Sequence, residues 1–137
     1  MDAIAFLDKA ANHRKQPIYA LVGDEGFLVR RCRQAIVARV CGDADPEYAL
    51  AVMEGLQSEF SSIRNELDTL PFLAPCRIVI VENADPFVTE HRPALEQYTT
   101  KPSSVGVLIL DVKTFPETTK LAKALPDAVS YTHLRAH

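Results

Sequence analysis

The run Val22-Gly23-Asp24-Glu25-Gly26 is the one place where residue types and spacing suggest chemistry at once. An apolar stretch ends in a glycine turn and a helical pattern follows, the arrangement in which backbone N–H groups cradle a phosphate. If Gly23 opens a GxxxxGK[ST] loop, the second glycine falls on Leu28, the lysine on Val29 and the hydroxyl residue on Arg30. Every chemical position fails. The chain then has neither the glycine that lets the backbone wrap a phosphate nor the groups that hold the terminal phosphate and Mg²⁺. Asp24 and Glu25 would repel a triphosphate, and Gly23 and Gly26 alone cannot make a dinucleotide fingerprint. A plain turn with acids at a helix N-terminus accounts for the same residues.

The other candidates are weaker. The apolar run Ile78 to Val81 ends in Glu82-Asn83, where an ATPase of this pattern would carry paired acids to hold metal and polarise water. Cys32, Cys41 and Cys76 are an odd number without CxxC spacing, and Cys76 has no histidine near it in sequence. They suit thiols of a reduced compartment, neither a disulfide framework, a zinc site nor a nucleophile. His133 and His137 have helical metal-pair spacing but lie in the last nine residues. That segment, 129–137, resembles a translated sequencing-library adapter; it is expected to be non-native and to pack against nothing. No catalytic residue, cofactor or metal is expected.

These residues must be positioned by an ordinary single domain. At 137 residues, 47% apolar and 24% charged, the chain can bury a core without staples. A net charge of −3 gives no field for gripping duplex phosphates alone. The N-terminus carries Asp2 and Asp8 and only short apolar runs, and no stretch nears the roughly 18 apolar residues of a membrane span, so a soluble cytoplasmic chain without membrane contact is expected.

Residues 17–22, 77–82 and 105–110 are continuous apolar runs that predict strands buried on both faces, and 50–53 is a weaker candidate. Residues 25–40 place Leu28, Cys32, Ala35, Ile36 and Val40 at helical spacing and end near Gly42. Residues 58–70 do the same with Phe60, Ile63, Leu67 and Leu70 before Pro71. A loop containing Pro86 leads to a helix over 90–99, and a last helix spans 116–125. Alternating strands and helices predict an α/β fold: a parallel sheet with helices on both faces.

That pattern with a vacated phosphate loop resembles a clamp-loader subunit that has kept the AAA+ (RecA-like) ATPase fold and lost its chemistry, a degenerate P-loop. The stretch Ile18-Tyr19-Ala20-Leu21-Val22-Gly23-Asp24-Glu25-Gly26-Phe27-Leu28 resembles the opening of the DNA polymerase III delta family. So does Thr69-Leu70-Pro71-Phe72-Leu73-Ala74-Pro75-Cys76-Arg77-Ile78-Val79-Ile80-Val81-Glu82-Asn83-Ala84, although many relatives have small polar residues at Ala74-Pro75-Cys76. Lys120-Leu121 fits a later helix.

The resemblance covers about residues 14–128 and implies an N-terminal delta-type domain over 1–128, with further domains missing. It implies a subunit of a DNA-directed DNA polymerase (nucleotidyltransferase) holoenzyme that opens the sliding clamp, the beta subunit, without hydrolysing ATP. Partners would include the gamma/tau and delta prime subunits, with DNA contacted indirectly. Clamp binding would fall to Leu70, Phe72 and Leu73, the last two entering a hydrophobic pocket on the clamp. Two alternatives stay open: that Phe72 and Leu73 are core residues at a strand entrance, and that the domain is a degenerate ATPase-like partner in another complex.

Overall fold

The computed structural model describes residues 5, 7, 16–23, 26–71, 73–114 and 129–130. Strand β1 (Ile18–Val22) leads into helix α1 (Gly26–Cys41), then β2 (Leu50–Glu54), α2 (Phe60–Asp68) and β3 (Arg77–Glu82). Two short helices, α3 (Asp85–Glu90) and α4 (Arg92–Thr100), precede β4 (Gly106–Val112), and β5 (Val129–Ser130) closes the order. All pairs are parallel, in the order β2-β3-β4-β1-β5.

Side chains alternate across a strand, so the continuous apolar runs of β1, β3 and β4 supply two cores at once. On one face Tyr19, Leu21, Ile78, Ile80, Val107 and Ile109 meet Val29, Cys32, Ile36 and Val40 of α1. On the other, Ile18, Ala20, Val79, Val81, Leu108 and Leu110 meet Ile63 and Leu67 of α2, Phe87 and Val88 of α3, and Leu95 and Tyr98 of α4. The expected α/β architecture, with helices on both faces of a parallel sheet, is thus the observed one.

Helix α1 buries Val29 and Cys41 beyond the predicted stripe, with Leu28 and Ala35 half-buried at its margin. It stops at Gly42, whose φ of 59° is the left-handed conformation of a helix terminator and whose N–H still reaches the Ala38 carbonyl. Burial pushes the pKa of Cys32 up to about 11, the nearby Arg31 opposing this only in part. Its thiol therefore stays protonated in the fold where it would ionise in the unfolded chain. The stability this contributes is complete below pH 9 and is lost as pH rises toward 11. Iodoacetamide labelling of native protein at pH 8, followed by peptide mass spectrometry, is expected to leave Cys32 unmodified and to modify it fully in urea; rapid native labelling would refute the burial.

Three expectations need correction. The segment around Pro86 is no loop but helix α3, because a proline in the first turn removes only an N–H that has no helical acceptor. Helix α2 is shorter than residues 58–70: Thr69 leaves helical geometry, donating its N–H to Glu66 and its hydroxyl to Asn65. Leu70 therefore falls off the apolar stripe. Val129 and Ser130 do not stand clear of the domain, since they pair with Leu21 and Val22 as β5. The backbone groups of this strand, which begins just after the expected domain boundary at 128, satisfy an edge of β1. The helix expected over 116–125 and the remainder of the tail, with His133 and His137, lie outside the described residues.

Candidate functional site

The loop from α2 to β3 sits at the edge of the sheet where the strands begin. Leu70 is 71% exposed and Leu73 61% exposed, while Pro71 and Ala74 are half-buried and Cys76 is buried. Phe72 lies outside the described residues. Leu73 has a φ of 63°, a conformation that costs a leucine on the order of 1 kcal/mol or more. Of the three residues singled out by the sequence, the two described ones share one loop and both face solvent.

The base of that loop is held tightly. Arg77, the first residue of β3, donates Nε and Nη2 to Glu66 Oε2 at 3.1 and 2.6 Å, and its backbone N–H donates to the Val105 carbonyl. Ser103 Oγ donates to the Leu67 carbonyl at 2.7 Å and accepts the Val105 N–H at 3.1 Å. The Ser103 N–H in turn donates to the Tyr98 hydroxyl at 3.0 Å. Burial raises the Tyr98 pKa, so the phenol stays neutral; the Ser103 bond and Arg64, stacked 4.6 Å over the ring, oppose the rise. Gly106 lets the end of α2 lie directly on β4: a Cβ there would come within 2.9 Å of the Leu67 backbone. Ser103 and Glu66 carry no motif; of these anchors only Arg77, which opens β3, was marked in the sequence.

The opposite edge, where the strands end, holds a cleft of about 180 Å³ lined by Gly23, Gly26, Val29, Asn83, Asp85, Asp111 and Lys113. This is where open parallel sheets bind ligands. Several polar groups at this rim are engaged elsewhere. Glu82 pairs with Arg33 at 3.0 Å, and Asn83, at a φ of 49°, donates to Glu54 at 3.2 Å. The Asp85 carboxylate accepts the N–H groups of Lys113 and Thr114, so this acid caps a turn. Asp24 and Glu25 lie outside the described residues. Among the described residues no group of three or more His, Cys, Asp or Glu side chains is placed to hold a metal.

A larger groove of about 570 Å³ runs between α1 and β2, with Val37, Leu50 and Ile80 among its apolar lining and Arg30 and Arg33 beside them. Its one thiol, Cys41, has its pKa raised by burial, with the neighbouring Cys76 and Asp45 adding to the rise, and is no nucleophile at neutral pH. Among the described residues no helix is long and apolar enough to cross a membrane.

Comparison with known proteins agrees with the layout. The solved Bacillus subtilis DNA clamp loader delta protein superposes with a TM-score of 0.73, over 94% of this chain and 41% of that one, at 23% identity. A DNA polymerase III gamma subunit-related protein from Thermotoga maritima shares the fold at a TM-score of 0.64 and 12% identity, over 93% of this chain and 45% of its own. In sequence, the DNA polymerase III subunit delta of Bacillus subtilis (strain 168) is 30% identical over 120 residues, 80% of this chain. The chain spans 34% of that relative's length. The family model for the DNA polymerase III delta subunit matches residues 19–134. With more than half of its length matched in this way, the chain belongs to the delta-subunit family of the DNA polymerase III clamp loader.

Proposed function

We propose that this domain binds the sliding clamp through Leu70, Phe72 and Leu73, springs the ring open during replication, and does so without hydrolysing ATP. The observation that carries the proposal is the outward placement of Leu70 and Leu73 on a loop anchored at both ends. Large apolar side chains exposed to solvent on one loop raise the free energy of the isolated domain, and a strained φ at one of them adds to it. Insertion into an apolar pocket would recover the first cost, and because the loop base is already ordered, little further entropy is lost on docking.

Within the same proposal the chain acts in the cytoplasm as part of a polymerase holoenzyme, meets gamma/tau and delta prime subunits through domains beyond this one, and touches DNA indirectly. Its cleft binds no triphosphate, because Leu28, Val29 and Arg30 stand at the phosphate-loop positions and Asp85 and Asp111 line the opening.

Two measurements on the same preparation test this. Surface plasmon resonance over immobilised cognate clamp is expected to show saturable binding, and its absence would remove the central claim. Equilibrium binding of labelled ATP with Mg²⁺ is expected to show no saturable site; a micromolar Kd would overturn the nucleotide-free mechanism alone.

A further inference from the structure

We infer that Ser103, together with the Glu66–Arg77 pair, is a positioning residue for the clamp-binding loop; this rests on the clamp-binding proposal above. The Leu67 carbonyl belongs to the last turn of α2 and would normally accept an N–H four residues on. That residue is Pro71, which has none. The Ser103 hydroxyl takes the place of the missing donor at 2.7 Å, and by also accepting the Val105 N–H it bridges the helix end to the approach of β4.

One residue earlier, Glu66 is gripped by Arg77 from the first position of β3. The loop thus leaves from residues 66 and 67 and returns at residue 77, with its two ends tied to each other and to a third segment that is itself fixed by Tyr98. Leu70 lies only three residues beyond the Ser103 bridge, so the orientation of the helix end sets where Leu70 and Leu73 point. Neither Ser103 nor Glu66 belongs to the apolar surface, and each acts through the backbone that presents it.

The test is a double-mutant cycle in clamp affinity, read by surface plasmon resonance on the full chain and referred to the folded fraction measured by circular dichroism. Ser103→Ala is expected to weaken clamp binding about five- to tenfold, the scale of one hydrogen bond, and Ser103→Thr, which keeps the hydroxyl, to stay within about twofold of wild type. In a Leu70→Ala/Leu73→Ala background, Ser103→Ala is expected to have a clearly smaller effect, because only Phe72 is left to position. The same loss from Ser103→Ala in both backgrounds, or wild-type affinity of Ser103→Ala itself, overturns the inference while leaving the clamp-binding proposal standing. If Leu70→Ala/Leu73→Ala binds as wild type, the clamp-binding proposal falls instead. Should Ser103→Ala fail to fold, Glu66→Gln loosens the other anchor and must show the same background-dependent loss; an equal loss in both backgrounds overturns the inference.

Discussion

Replacing Phe72 and Leu73 together by alanine is expected to weaken clamp binding by about two to four powers of ten. Full burial of a Phe or Leu side chain is worth roughly 1.5–3 kcal/mol, and two such losses convert to that range. Unfolding in urea is expected to shift by no more than about 0.5 kcal/mol, since a side chain as exposed as Leu73 adds little to the core. Surface plasmon resonance and urea titration of wild type and double variant decide the matter. Normal clamp affinity would end the assignment, and a loss of several kcal/mol in stability would make these residues part of the core. Leu73→Gly separates contact from conformation: it suits the left-handed backbone there and removes the side chain, so stability should hold while affinity falls.

Gly106→Ala is expected to destabilise the domain by about 2–3 kcal/mol, a cost in the range of overpacked cores. The added methyl would meet the Cα and carbonyl carbon of Leu67 at 2.9 Å, closer than real Cβ contacts come. These are backbone atoms, so no rotamer change relieves the clash; the end of α2 must lift from β4 and stretch the Ser103 and Arg77 bonds with it. Gly42→Ala is the control. Its new methyl meets nothing within 4 Å, so only the left-handed backbone penalty of roughly 1 kcal/mol remains. Equal effects in urea denaturation would show that the close approach of α2 and β4 is not what Gly106 serves.

Much of the fold was legible because three strands are buried on both faces and so have an unbroken aliphatic signature. The strand Arg77–Glu82 was read to the residue. Strand β2 was ambiguous for a physical reason: among the described residues it pairs with β3 alone, none of its own residues is buried and Val52 is 51% exposed, so its composition is only weakly constrained. Helix α3 was missed because Pro86 breaks a helix in its interior and fits one in its first turn, and sequence does not say which position it occupies.

Of the candidate site, Leu70, Phe72 and Leu73 were marked by the family resemblance alone; the exposure of Leu70 depends on Thr69 ending the helix early, which the regular spacing from Phe60 concealed. The Ser103 bridge to Leu67 spans 36 residues and the Arg77 bond to Glu66 spans 11 across a loop, and separations of that kind leave no trace in a local pattern.

Parallel pairing places every strand's start on one rim and every strand's end on the other. Arg77 and Gly106 therefore anchor the apolar loop at one rim, and Asn83 and Lys113 line the cleft at the opposite rim, about six residues or roughly 20 Å away. Substitutions at one rim share no partners with those at the other, and changes that far apart usually add without interacting. The two rims are consequently free to diverge at different rates: residues lining the cleft can change one by one while those that anchor the apolar loop stay as they are.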